Sequence, residues 1–314
     1  MGSTMHVLVL PSENFVGPMG GIFQRHLAHA LKLKCDKVGV LSAGFVPFHM
    51  LFDAYPYLSF ENEDGVNVYR RYIRLVIPGR IANEVYFRRL VGVWLKLFEK
   101  YLREQGRPDI IHAHNCLYAG LAALKIREKY GIPYLVTEHS TAFARRLVSR
   151  RQGEIVRAVL NHADAITVVS TVFGELLKTM FGLGSRCITT IYNVLDGEFE
   201  NSEPAQEALQ RKNNAFTFAH IANLISIKNQ SDLLKAFAIK FKGDNRIQLR
   251  IGGDGPMRRP LERQSREMGI DKQVVFLGRL DREEVLREMC SCDAFVLSSV
   301  VETFGVVLIE ALAC

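Results

Sequence analysis

Along this chain, short runs of β-branched and other apolar residues alternate with longer stretches in which apolar positions recur every three or four residues. The first pattern reads as strand and the second as amphipathic helix; their alternation predicts an α/β fold with parallel sheets covered by helices on both faces. In the first half, strands are expected near 6–11, 37–43, 66–72, 109–113, 133–138, 164–169 and 187–191, and helices at 21–33, 84–105, 117–130, 151–162 and 171–181. The stretch NVLDGEFENSEPAQEALQRKNNA is polar and without apolar period, and reads as a linker over roughly 193–214. The alternation then restarts with strands at 215–221, 246–252, 273–277 and 293–297, and helices at 229–241, 256–268, 281–290 and from 304 onward. Two doubly wound domains are therefore expected, 5–200 and 212–314, facing each other across a cleft. In such sheets ligands sit outside the carboxyl ends of the strands.

Composition adds little to this picture, since 48% apolar and 23% charged residues over 314 positions are ordinary for a soluble protein of about two domains. Charge adds more. Residues 66–104 hold nine cations (Arg70, Arg71, Arg74, Arg80, Arg88, Arg89, Lys96, Lys100, Arg103) against three Glu, and Arg145, Arg146, Arg150, Arg151 and Arg157 are opposed only by Glu154. Such a basic first half either attracts membrane headgroups, nucleic acid or a phosphorylated substrate, or is simply solvated. The six cysteines show no disulfide-framework or zinc spacing, which fits reduced cytoplasmic thiols. No apolar run reaches the ~18 residues of a membrane span, and HVLVLP is too short for a signal-peptide core. In VYFRRLVGVWLKLFEKYLR, Trp94, Leu97 and Phe98 form a stripe that either lies on a membrane surface or packs on the sheet.

Candidate chemistry collects at strand ends. Gly20 and Gly21 stand just before a helix, where backbone N–H groups hold a phosphate or merely start the helix. GPMGG is not GxGxxG, and KVGVLSAG ends without an acidic residue for a ribose, so a nicotinamide dehydrogenase is disfavoured. IIHAHN and LVTEHS put His112, His114 and His139 at strand ends without an acidic partner at metal-ligand spacing; packing is favoured for His112 and ligand contact for His139. Lys228 precedes the helix carrying Leu233, Leu234 and Phe237, so its ammonium can join that N-terminus in clamping a diphosphate. LRIGGDGP, with Gly252, Gly253, Gly255 and Pro256, reads as a tight connection, and the absence of a DxD triplet leaves no metal indicated. In ETFGVVLIE, Glu302 lies near a helix N-terminus and Glu310 lies two turns in, one reaching a ligand from the loop and the other from the helix flank.

In order along the chain, the glycine loop, DIIHAH, the strand ending at His139, ADAITVVS, the NxxD stretch, Lys228, GGDGP, VVFLGRL and ETFGVVLIEALA resemble the glycosyltransferase family 4 enzymes. That resemblance runs from Met5 to Cys314, with ExFGxxxxE its most specific part. It implies the GT-B fold, with two Rossmann-like domains, and retaining transfer of a hexose from a nucleotide-diphosphate sugar, without metal, to a saccharide or lipid-linked acceptor. It also implies roles: Lys228 on the diphosphate beside Asn223, Glu302 with Thr303, Phe304 and Gly305 on the sugar hydroxyls, and Glu310 on the ribose. His139 would touch donor sugar or phosphate, Gly20 and Gly21 would let the acceptor-side loop approach, and Gly278 and Arg279 would lie by the base. No nucleic acid is expected, and the basic first domain would dock peripherally on an anionic membrane.

Two departures from the family pattern stand out. Ala222, Asn223 and Leu224 replace the usual GRL, removing an arginine beside Lys228, and Val194 stands where NGxD has glycine. Family members also continue beyond EALAC, so an incomplete second domain with strand 293–297 as an exposed edge is expected. The alternatives are a sugar-nucleotide epimerase of similar fold and a non-catalytic sugar-nucleotide-binding fragment.

Overall fold

The apolar runs form strands and the periodic stretches form helices in two units, Met1–Tyr192 and Asn193–Cys314. A computed structural model describes residues 5–12, 15, 22–46, 58–73, 82–195, 199 and 215–314.

The first unit runs β1 (His6–Leu10), α1 (Ile22–Lys32), β2 (Lys37–Phe45), β3 (Leu58–Glu63), β4 (Val66–Ile73), α2 (Ala82–Gln105), β5 (Ile110–His114), α3 (Leu121–Tyr130), β6 (Tyr134–Glu138), α4 (Arg150–His162), β7 (Ala165–Val168), α5 (Thr171–Phe181) and β8 (Thr189–Thr190). Its sheet has the order β3-β4-β2-β1-β5-β6-β7-β8. Every neighbouring pair is parallel except β3 and β4. The central strands are buried on both faces, as Leu8, Val9, Leu10, Val38 and Val40 show, which is why they read as continuous apolar runs.

Three expectations change here. LSFENE, which lies outside the strands expected from the sequence, forms β3, joined to β4 through Asp64 and Gly65 at φ 49° and 86°. Both central residues at positive φ are the geometry that an Asp-Gly hairpin turn favours. Charge hid this strand: it is an edge, and Glu61 and Glu63 on it pair with Arg70, whose side chain is only 5% exposed. That pairing withdraws Arg70 from the expected basic face. Trp94, Leu97 and Phe98 are buried, so the stripe of α2 packs on the sheet and is not presented to a membrane. Tyr101 of the same helix lies where a Cβ at Gly39 would fall 2.1 Å from its hydroxyl oxygen, and that hydroxyl meets His6 Nε2 at 2.6 Å. Finally, α3 starts at Leu121 rather than 117, because Leu117 and Tyr118 leave helical geometry in the turn Cys116–Gly120. No described helix is long and apolar enough to cross a membrane.

The second unit runs β9 (Phe216–Ile221), a 3-10 turn (Ser226–Lys228), α6 (Gln230–Phe241), β10 (Ile247–Gly252), α7 (Arg258–Glu267), β11 (Val274–Gly278), α8 (Arg282–Ser291), β12 (Ala294–Phe295) and α9 (Val306–Ala313). Its parallel sheet has the order β11-β10-β9-β12 around a core that includes Leu224, Leu234, Phe237, Leu249, Ile251 and Leu261. Asp281 and Glu284 cap the start of α8 reciprocally, each side chain accepting the other's backbone N–H at 2.8 Å. The strand expected at 293–297 shrinks to two residues, since as the sheet edge it pairs only with β9. Phe199, inside the polar stretch read as a linker, is 1% exposed and lies 4.2 Å beneath the guanidinium of Arg282. Most of the remaining linker lies outside the described residues.

Both sheets contain a place where the chain order reverses: between β1 and β5 in the first, and between β9 and β12 in the second. Loops leaving the carboxyl ends of such strand pairs diverge and open a crevice.

Candidate functional site

In the second unit, the loops after β9 and β12 are stitched together by backbone. Val300 N donates to Ile227 O at 2.9 Å, and Ser298 Oγ donates to Lys228 O at 2.8 Å. This brings together two residues that the sequence offers separately: Lys228 Nζ lies 2.5 Å from Glu302 Oε1, with side chains 23% and 25% exposed. Thr303 and Phe304 follow, half-buried, and Gly305 begins α9 at φ 84° and ψ 56°, a left-handed conformation suited to glycine. On α9, Glu310 is buried and its Oε1 accepts from Arg282 Nη1 at 2.7 Å. Sequence reasoning missed Arg282; its signal was a lone cation opening a capped helix, which many helices share. Gly278 sits at φ 79°, with Arg258 Nη1 3.0 Å from where its Cβ would stand, and Arg279 beside it is exposed.

Asn223, in the place of the missing arginine, gives its carbonyl to the buried Gln230 at 3.1 Å. Its neighbours explain the GGDG loop. A Cβ at Gly253 would stand 2.0 Å from Ala222 O and one at Gly255 2.6 Å from Leu224 O, so these glycines let two backbone segments touch. Met257 N and Leu224 N complete that contact, donating to Leu224 O and Asp254 O at 3.0 and 2.9 Å. Val194 is exposed and keeps negative φ, since it is not among the residues at positive φ. The backbone here simply does not use the glycine geometry.

In the first unit, Gly20 and Gly21 lie outside the described residues. His139 follows β6 directly. Its ring packs edge-on to His114 at 5.7 Å, and His114 stacks on His112 at 4.3 Å. Burial pushes His139 and His112 down to about 4 and His114 well below its ordinary value, so all three are neutral at pH 7. His112 Nε2 is bonded to Thr137 Oγ1 at 2.7 Å, in keeping with a packing role. Neither ring nitrogen of His114 has a hydrogen-bond partner among the described residues.

Beside these imidazoles, at the carboxyl ends of β1, β2, β5 and β6, opens a cavity of about 420 Å³. Trp94, Tyr118, Phe45 and Phe143 form its aromatic walls, with Asn115 and Ser140 as polar groups, the mixture usual for small-molecule sites. Between β1 and α1, Phe15 N–H donates to Tyr72 Oη at 2.8 Å, and its ring lies 3.9 Å from the Arg25 guanidinium. Burial pushes the Glu138 carboxyl up, while hydrogen bonds from Cys116, Ser140 and His139 pull it down. Sequence reading passed over Glu138, although it stands in the quoted LVTEHS. No group of three metal-ligating side chains occurs among the described residues.

Residues 25–199 match the family described as "Glycosyltransferase Family 4", and residues 201–314 match "Glycosyl transferases group 1". The chain is 27% identical over 213 residues to "Glycogen synthase" of Mycobacterium tuberculosis, covering 66% of this chain and 50% of that protein. It is 28% identical over 221 residues to "Putative glycosyltransferase EpsF" of Bacillus subtilis, covering 68% and 57%. It thus spans half or slightly more of these relatives' length. Among solved structures, the sucrose-phosphate synthase of Thermosynechococcus elongatus superposes with TM-score 0.75 at 20% identity, covering 98% of this chain and 79% of that one. HepE of Anabaena, in complex with UDP and glucose, gives 0.69 at 19%, covering 99% and 78%. These likenesses carry the fold, which is the GT-B class of two Rossmann-like α/β units. With more than half its length inside that family's pattern and its second part matching the group 1 pattern, the chain belongs to glycosyltransferase family 4.

Proposed function

We propose that this protein transfers a hexose from a nucleotide-diphosphate sugar to a saccharide or lipid-linked acceptor, with retention and without a metal ion, in cell-surface polysaccharide or glycolipid synthesis. The observation that carries the reading is the Lys228–Glu302 pair at the reversal point of the second sheet. Departure of the nucleoside diphosphate develops negative charge, and a fixed ammonium with the N–H groups at the start of α6 stabilises it. Before the donor arrives, Glu302 holds the ammonium in place. With donor bound, Lys228 turns to the phosphates and the released carboxylate, with the backbone of Thr303, Phe304 and Gly305, takes the sugar hydroxyls. Glu310, oriented by Arg282, hydrogen-bonds the ribose; Gly278 and Arg279 border the base; Asn223 supports the Lys228 loop through Gln230. His139, neutral, donates or accepts at the donor sugar or phosphate, and Gly20 with Gly21 admits the acceptor side.

Support for this donor class comes from fold neighbours solved with UDP-glucose in HepE and with ADP and acarbose in starch synthase IV of Arabidopsis thaliana. The reading includes a cytoplasmic location with peripheral binding to anionic membrane. Arg145, Arg146, Arg150 and Arg157 are exposed around Leu147, which is 59% exposed, an arrangement suited to headgroups and a shallow apolar contact.

Calorimetric titration with UDP, GDP, ADP and their sugar conjugates tests the donor site. Micromolar binding of one nucleotide is expected, and none by folded protein refutes the reading. Product analysis then separates transfer, which needs an acceptor and keeps the anomeric configuration, from epimerisation, which needs none. Flotation with anionic vesicles at low salt tests the membrane contact, and vesicles that leave the protein behind remove it.

A further inference from the structure

The loops after β5 and β6 converge on one buried carboxylate. Glu138, the last residue of β6, is 0% exposed. Its Oε2 accepts the N–H of Cys116 at 2.7 Å, and its Oε1 accepts those of His139 at 2.9 Å and Ser140 at 2.8 Å. The Cys116 thiol bonds to the same carboxylate. All four donors are neutral, so this group is not one half of an ion pair. Its two oxygens are instead coordinated by backbone N–H groups, while burial on balance raises its pKa.

The loop it holds needs holding. Asn115 has φ 68° and ψ 141°, and Tyr118 has φ 56° and ψ −79°, conformations that side-chain-bearing residues keep only where the surroundings over-determine them. Asn115 N donates to Thr137 O at 2.8 Å and Gly120 N to Asn115 O at 3.0 Å, while His139 N also reaches Asn115 Oδ1 at 3.4 Å. Asn115 and Tyr118 from one loop, and Ser140 and Phe143 from the other, line the same cavity.

We infer that Glu138 is a positioning residue: by binding backbone amides of both loops, its carboxylate sets where His139 and the cavity wall stand for sugar transfer. The inference rests on the proposed function for its kinetic part, since His139 is there the group that meets the donor. Glutamate suits the task better than glutamine, because both of its oxygens accept. In Glu138→Gln an NH2 group either confronts the N–H of Cys116 or displaces those of His139 and Ser140.

The test has two arms. First, amide hydrogen exchange of the wild-type protein reads the tie directly: the amides of Cys116, His139 and Ser140 are expected to exchange slowly, and to speed up at least about tenfold in Glu138→Gln with no matching change in β9–β11. Trp94, the chain's single tryptophan, lines the cavity, and its emission shifts in the same variant. Rapid exchange of the three amides in the wild type overturns the inference whether or not any variant folds. Second, with UDP-glucose, ADP-glucose and GDP-mannose as donors, Glu138→Gln is expected to lose about ten- to a hundredfold in kcat through misplacement, with the Kd of free UDP, ADP or GDP kept within about threefold. Unchanged kcat and KM overturn the inference. So does a loss of kcat that parallels a fall in nucleotide affinity and Tm, which marks general destabilisation. If no nucleotide binds the wild type, the transferase reading fails by itself and the exchange arm alone judges Glu138.

Discussion

The two reversal points differ in how they hold charge. In the second unit, a cation and an anion meet directly, Lys228 on Glu302, with about a quarter of each side chain open to water. In the first, the carboxylate of Glu138 is sealed among backbone amides, beside three imidazoles that burial keeps neutral. One place offers movable charge and the other a rigid, desolvated wall. The same strand topology thus yields two kinds of crevice: on the proposed reading, stabilising a departing anion calls for charge that can turn toward it, whereas orienting a neutral group calls for geometry that does not yield.

The largest effect expected from this contrast is at Lys228. Lys228→Ala should lower turnover about 10²- to 10³-fold, the range for removing a group that stabilises developing charge, as measured in steady-state transfer assays. A variant with unchanged turnover would erase the contrast. Next comes acid sensitivity, which should be greater in the first unit, with three buried imidazoles lowered by burial, than in the second, where burial lowers His220. His112 and His139 titrate near 4 when folded but near 6.5 when unfolded, so the unfolded chain takes up protons first as pH falls. Stability is full above about 6.5 and drains toward 4, by roughly 3 kcal/mol for one such imidazole. Glu138, pushed up by burial, works in the opposite direction as it protonates and trims this loss. Urea unfolding followed by Trp94 emission at several pH values reads the first unit alone, and a flat profile between 6.5 and 4 would remove the claim.

A smaller effect is expected where backbone meets backbone. Gly253→Ala places a methyl group against Ala222 O at φ 125° and should destabilise the second unit by about 2 kcal/mol, seen as a lower Tm with little change at Trp94. Smallest is Glu310→Gln, which on the proposed reading should keep the fold, weaken the ribose contact and remove the charge that faces Arg282. Nucleotide affinity should fall about tenfold by calorimetry, while turnover at saturating donor stays near wild type. A comparable loss of kcat would put Glu310 in the chemical step.

Much of this was legible in the sequence where one physical signal dominates. Long apolar runs gave the central strands within a residue or two, and ExFGxxxxE with Lys228 picked out residues that meet in the second unit, without showing that their charges touch. The failures have particular causes. β3 is an edge strand whose Glu61 and Glu63 look like a loop until Arg70 is seen to be their partner. The start of α3 was misplaced because Tyr118 sits at a positive φ that nothing in its side chain announces. Phe199 was lost in a polar stretch because a single buried ring carries no periodicity. Glu138 escaped because its partners are backbone amides, which every sequence has.

The strand order of the second sheet bears on how the protein acquires its site. β9 is made first, but its neighbour β12 arrives only after two further helix–strand excursions, and the residues that touch there are far apart in the chain: 74 positions separate Lys228 from Glu302 and 70 separate it from Ser298. Contacts of such long sequence separation form slowly, because loop-closure entropy must be overcome before they repay it. Within the second unit the pairing of Lys228 with Glu302 is therefore expected late in folding, and on the proposed reading nucleotide binding should return only after the helices and the β9–β10 pairing of that unit have recovered.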